Sequence, residues 1–219
     1  GDRSQPKKRA CVTDSNEEAM DPIERAKRGP ATKRAGVQAL LLPHPSAPPT
    51  LPLRLHAEAE RSRSGELLLR YVLDAALARI RLPALVARPA ARDLLWQHTC
   101  FEAFVTLAPG GPYHEINLSS SGDWAVYAFR AYREAALQPP AALALPVTTA
   151  ASEDRLELSA RIPLAALSAA YLREPIHLAL SAVIEAADGG LSYLALHHPA
   201  EKPDFHHKGG FILRLDRPT

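Results

Sequence analysis

Cysteine is almost missing from this chain: Cys11 and Cys100 are its only two. A disulfide-stapled fold needs more cysteines at regular spacing, so the pair reads as two free thiols in a reducing compartment. Methionine is scarcer, with Met20 alone, and aromatic residues make up only 6% of the 219 residues. Neither sign of charge is in large excess, the formal net charge being +2. What surplus exists is local: residues 1–35 hold nine Lys/Arg against six Asp/Glu, leaving 17 against 18 in the rest. A nucleic-acid binder carries a basic patch on its folded part, so nucleic acid is not an expected partner. Long apolar runs are missing too. Val37 to Leu42, interrupted by Gln38, is too short for a membrane span or a signal-peptide core; the expected location is cytoplasmic, with no membrane partner. There is no glycine-rich phosphate loop, because Gly189-Gly190 and Gly209-Gly210 read as hairpin turns. Ser119 to Gly122 joins two strands instead of a strand and a helix, unlike a nucleophile elbow. No segment repeats.

What is present is a chain of short alternating segments behind a polar start. Residues 1–36 are charged, nearly free of large apolar side chains and without a period of 2 or 3.6, which reads as a disordered basic tail. The folded domain is assigned to 37–219, with the five prolines from Pro43 to Pro52 reading as an extended linker or edge segment. Leu53 to Glu60 alternates apolar and polar without a fault, the pattern of a half-buried strand. Further strands are expected over 67–73, 78–82, 96–107, 113–118, 124–131, 155–162, 176–185, 191–196 and 211–215. Pro163 to Tyr171 reads as a short helix with proline in its first turn. Ala108-Pro109-Gly110-Gly111, Ser119 to Asp123 and Asp188-Gly189-Gly190 are turns. Eight to ten short strands and one short helix predict an antiparallel β-sandwich, immunoglobulin-like or jelly-roll-like.

The central meander carries the best candidate site. If the Ala108–Gly111 turn pairs its strands symmetrically, Phe104 faces Glu115 and Glu102 faces Asn117. Because side chains alternate along a strand, Glu102, Phe104, Thr106, Tyr113, Glu115 and Asn117 then share one face. Carboxylates, an amide and aromatic rings make a poor core and a plausible ligand face: rings stack on the apolar faces of sugars, and acids and amides meet hydroxyls. Trp124 joins this face in one register. The alternative is that Glu102 and Glu115 are structural acids paired with Arg130, Arg133 or a loop arginine, and that Trp96 and Trp124 are core. Two acids also raise a glycosidase, which needs carboxyls flanking the scissile bond at a set separation.

A second feature is His197-His198-Pro199-Ala200-Glu201-Lys202-Pro203-Asp204-Phe205-His206-His207. Imidazole and carboxylate suit a transition metal, making His197, His198, His206 and His207 metal candidates. Their spacing matches no standard zinc pattern, and a stiff loop at a pocket mouth is the alternative.

The stretches Leu95-Trp96-Gln97-His98-Thr99-Cys100-Phe101-Glu102, Tyr113-His114-Glu115-Ile116-Asn117-Leu118-Ser119 and Gly122-Asp123-Trp124-Ala125-Val126-Tyr127-Ala128-Phe129 resemble the core of bacterial DOMON-like proteins. Lys202-Pro203-Asp204-Phe205-His206-His207 followed by Gly210-Phe211 is similar to their C-terminal segment. The resemblance covers roughly residues 37–217. It implies kinship with family 9 carbohydrate-binding modules and with the DOMON domains of extracellular redox proteins, and hence a β-sandwich that binds sugar or haem. The haem-binding members use a methionine with a histidine; here Met20 lies in the tail, so haem would fall to His98, His114 or the His197–His207 loop. The expectation is a non-catalytic domain for a small-molecule ligand, sugar first, held by Glu102, Tyr113, Glu115, Asn117 and Trp124. A haem or metal protein and a protein-interaction module without a small ligand are the alternatives; no cofactor is assigned.

Overall fold

The computed structural model describes residues 36–136 and 143–218. The tail expected over residues 1–36 therefore lies, but for Gly36, outside the described residues, as do Cys11 and Met20. Twelve strands follow one another: β1 (Val37–Pro43), β2 (Leu53–Arg61), β3 (Glu66–Ala75), β4 (Cys100–Thr106), β5 (Tyr113–Leu118), β6 (Trp124–Ala131), β7 (Glu134–Ala135), β8 (Val147–Ala151), β9 (Arg155–Pro163), β10 (Ile176–Glu185), β11 (Leu191–Ala195) and β12 (Leu213–Leu215).

All strand pairings are antiparallel. One sheet runs β1-β2-β3-β9-β8 and the other β7-β6-β5-β4-β10-β11, with β12 beside the first half of β10. β1 belongs to both: Val37 to Leu41 pair with β2, and Leu42 and Pro43 with Ala195 and Leu194 of β11. It turns a corner between sheets, as strands at the edge of sandwiches do. The apolar halves of the alternating strands meet in between. Leu55, Leu67, Leu73, Leu156 and Leu158 of the first sheet pack in one core with Phe101, Val105, Ile116, Leu118 and Leu180 of the second. This is the all-β sandwich that the alternation implies.

The departures have local causes. The segment expected as a strand over 78–82 is a 3-10 turn at Leu77–Arg79 followed by a single bridge between Ile80 and Ala186. The long strand expected from Trp96 begins at Cys100, because Leu95–Gln97 forms a 3-10 turn entered through Leu94 at φ +64°. The short helix reduces to one α-helical turn, Leu164–Leu167, and a 3-10 turn, Ala169–Leu172. Twelve strands, not eight to ten, are present among the described residues because β1, β7 and β8 were not expected. The apolar run at Val37 is an edge strand that Pro43 ends, and β8 is a half-exposed Val-Thr-Thr-Ala-Ala edge with no clean alternation.

Candidate functional site

The turn Ala108–Gly111 sets the register of the site. Gly110 takes φ +92° there, and Glu102 stands opposite Asn117 and Phe104 opposite Glu115. On the other side of β4, Glu102 faces Ser181 of β10, and beyond β5, Glu115 faces Tyr127 and Tyr113 faces Phe129. Cross-strand partners share a face, so Ser181, Glu102, Asn117, Glu115, Tyr127, Phe129, Phe104 and Tyr113 all point away from the sandwich core. This outer face would ordinarily be wet. Here it is roofed, and Glu102, Glu115 and Asn117 are buried.

Two segments make the roof. The first is the stretch 83–99, fastened at the Ser119–Asp123 turn. Asp123 accepts from the Ala90 N–H at 2.9 Å and pairs with Arg92 at 2.8 Å. Gly122 lies at φ +94°, and a Cβ on it would sit 2.9 Å from Pro89, so both conformation and space require glycine. This stretch brings Trp96, 45% exposed, to the rim. The second is the histidine-rich loop. Asp204 accepts from Tyr132 at 2.8 Å and from the Arg133 guanidinium at 2.9 Å, which ties the loop to the turn between β6 and β7. Arg133 itself stands at φ +54°, an unusual conformation for a side-chain-bearing residue. Phe211 packs on Phe104 and Tyr113 to close the far end.

Between roof and sheet lies a cavity of about 540 Å³, within the range of small-molecule sites. Trp96, Tyr127, Phe129, Tyr193 and Phe205 supply its rings; Glu102, Glu115, Gln97, Arg133 and His206 supply its polar atoms. The rings come from four separate segments, β6 giving two of them, and of these only Trp96 stood out singly in the sequence.

The electrostatics follow from burial. Glu102 is held well above the usual carboxylate range, first by burial and then by the charge of Glu115. Both causes favour its protonated form, and its Oε1 has no hydrogen-bond partner. Burial also raises Glu115, while the Asn117 side-chain N–H, donating at 2.9 Å, and Arg133 pull it back. His206 is pushed down to about 4, chiefly by burial and secondly by the Arg133 charge. The Tyr113 oxygen accepts from the Arg133 backbone N–H at 3.1 Å, and its hydroxyl lies 2.8 Å from His206 Nδ1. The tautomer in which Tyr113 donates to Nδ1 puts the proton of the neutral ring on Nε2, 3.7 Å from Glu115 Oε2. Burial raises Tyr127 to about 12.

Of the five residues singled out as ligand contacts, Glu102 and Glu115 line the cavity. Asn117 and Tyr113 support it from behind, through Glu115 and His206 respectively. Trp124 is a correction. It stands opposite Leu118, so it points into the sandwich core, where it is 9% exposed and its indole N–H donates to the Leu143 carbonyl at 3.2 Å. The acids do not form ion pairs with Arg130; that arginine pairs with Glu134.

The histidines do not converge. His198 Nε2 lies 2.8 Å from the Leu42 carbonyl, and its ring stands edge-on to His44. His207 caps its own turn by accepting from the Gly209 N–H. His197 lies in a separate surface cleft with His44 and His198, and only His206 faces the main cavity. Among the described residues no three His, Cys, Asp or Glu side chains group as metal ligands would. His98 is held by Glu185 at 2.8 Å and His114 by the Tyr171 hydroxyl at 2.9 Å.

No family model matches the chain, and no curated protein matches it. Solved structures share its fold. A candidate carbohydrate-binding protein from Bacteroides uniformis superposes with a TM-score of 0.59 at 17% identity, over 80% of this chain and 84% of that one. A family 9 carbohydrate-binding module from Caldicellulosiruptor kristjanssonii in complex with cellotriose gives 0.53 at 8% identity, over 83% and 82%. The module from the same organism with glucose gives 0.50 at 7%, over 78% and 79%. At such identities the likeness is one of architecture: the chain has the all-β sandwich fold of family 9 carbohydrate-binding modules.

Proposed function

We propose that this chain is a non-catalytic carbohydrate-binding domain of the DOMON-like kind, taking a short sugar into the cavity over β4, β5, β6, β10 and β11. The observation that carries the reading is the unpaired Oε1 of buried Glu102 inside a ring of five aromatic side chains. A buried polar atom left without a partner is costly, and a neutral carboxyl can give one hydrogen bond and take another. A sugar hydroxyl asks for both, while the rings suit the apolar faces of the pyranose. The Nε2–H of His206 adds a donor. The shared fold with modules solved with cellotriose and glucose supports the same ligand class.

The absence of catalysis is inferred from placement. Glu102 and Glu115 sit diagonally on neighbouring strands, two residue pairs apart along the ladder, so both approach a ligand from the floor. Glycosidic cleavage needs them on either side of the bond.

Calorimetric titration with glucose and cellotriose tests the reading. Wild type is expected to bind at least one saturably, with Trp96→Ala and Tyr193→Ala weakening it by about 0.5–1.5 kcal/mol each, the scale of a ring contact. Failure of a broad sugar panel to saturate the wild type, or undiminished binding by both variants, overturns it.

A further inference from the structure

A second cleft, which shares no lining residue with the sugar cavity, collects positive charge without a paired acid. It lies between the β2–β3 turn and the chain after β12, has a volume of about 310 Å³, and is lined by Arg61, Arg63 and Arg217 together with Ser62, Gly65 and Leu172. Arg61 is 7% exposed. Its guanidinium donates to the carbonyls of Glu174, at 2.7 Å, and of Tyr171. Those two bonds use two of its five N–H groups. They orient the group without cancelling its charge.

Two acids near the cleft are engaged elsewhere. Glu66 is held by Arg161 at 2.7 Å and receives the Ser64 hydroxyl. Asp216, next to Arg217, pairs with Arg214 at 2.8 Å. Among the described residues none of the three cleft arginines forms an ion pair. Burying a cation without a counter-charge is unfavourable, and the approach of Arg217 adds to the burial that already pulls Arg61 below the usual arginine range. The turn is shaped to allow this packing: Gly65 has φ +81°, and a Cβ on it would lie 2.8 Å from Leu172.

We propose that this cleft is an anion site, built for a phosphate-sized oxyanion carried free or as a monoester. Three guanidinium groups match that charge and geometry, since the planar fork of arginine meets two oxygens at once. Arg61 is the fixed, desolvated member; Arg63 and Arg217, both exposed, close on the ligand from the rim. The site is independent of the sugar cavity, and its fate does not depend on that reading.

The test is thermal unfolding of the full chain with increasing inorganic phosphate, sodium chloride making up constant ionic strength. A ligand that binds only the folded state raises the midpoint saturably. The R63Q/R217Q double variant changes two exposed residues and leaves the carbonyl bonds of Arg61 in place. It is expected to weaken phosphate by about tenfold, one charge-assisted hydrogen bond's worth. A parallel series with glycerol phosphate separates the sources: tighter binding of the ester points to a phosphorylated ligand, and equal or weaker binding to the free ion. A phosphate response that is the same in wild type and the double variant, or that chloride alone reproduces, overturns the proposal.

Discussion

His206 gives the most direct physical test of the roofed cavity. Its imidazole is 14% exposed, and burial together with Arg133 lowers it from 6.5 to about 4. In the unfolded chain it titrates at its ordinary value. Between these two values the unfolded state binds a proton that the folded state refuses, so stability rises with pH across this window. The contribution is complete above 6.5 and lost as pH falls towards 4. A shift of this size corresponds to about 3 kcal/mol at 1.36 kcal/mol per unit, and integrating to pH 5 gives a loss of about 2 kcal/mol. Glu102 acts with the opposite sign over the same range, because its raised folded value favours protonation. The measurement must therefore be a difference. Urea unfolding of wild type and His206→Gln at pH 5 and pH 8 cancels every group but this one. The wild type is expected to lose about 2 kcal/mol more than the variant on acidification. Equal pH dependence in the two proteins would mean that the ring is solvated in the folded state, and the closed roof would go with it.

Glu102→Gln replaces an acid whose ionised form is disfavoured by burial with an amide that cannot ionise. Wild-type stability from Glu102 is full below the unfolded value of about 4.3 and declines by about 1.36 kcal/mol per pH unit as pH rises towards the folded value. The variant should therefore gain on the wild type with rising pH, as urea midpoints would show; a constant gap would place an ionised carboxylate at this position. Trp124→Ala should cost about 3–5 kcal/mol as a core truncation, whereas the milder Trp124→Phe should leave sugar affinity unchanged in calorimetry, since the indole faces the core. Gly122→Ala should cost about 1–3 kcal/mol in urea unfolding, from a side chain forced to positive φ against Pro89.

Much of the site was legible because one turn fixed it. Pro109-Gly110-Gly111 leaves little freedom in how β4 and β5 pair, and from that pairing the shared face of Glu102, Phe104, Tyr113, Glu115 and Asn117 follows by alternation alone. Trp124 was misjudged for want of the next register. Leu118 stands opposite Trp124, so continuing the alternation across the Ser119–Asp123 turn puts Trp124 in the core and brings Tyr127 and Phe129 to the site. Tyr193 and Phe205 had no such signal. They reach the cavity from β11 and from a loop, and no spacing within a segment encodes a contact between segments. The same limit applies to the histidines: proximity in sequence suggested a common ligand, but their rings meet different neighbours.

The roof also explains how two acids come to be buried outside the sandwich core. A strand in the middle of a sandwich has one face for the core and one for water, and a glutamate on the second face normally stays solvated. β4 and β5 break that division because Trp96, Phe205 and His206 are drawn over their outer face by hydrogen bonds at the roof's edges, Asp123 on one side and Asp204 on the other. Neither aspartate touches the cavity, yet each fixes a segment that does. Loss of the Asp204 anchor should therefore open the site without dismantling the fold. Asp204→Asn keeps the size and removes the charge that holds Arg133, an interaction of about 1 kcal/mol at a partly exposed pair. Loss of the Asp204 charge by itself lowers the His206 titration further, so a rise towards 6.5 by NMR reports opening of the roof; that rise is expected, with a modest fall in stability and weaker sugar binding. A His206 titration that stays near 4 in this variant would show that the loop is held down by its aromatic contacts alone.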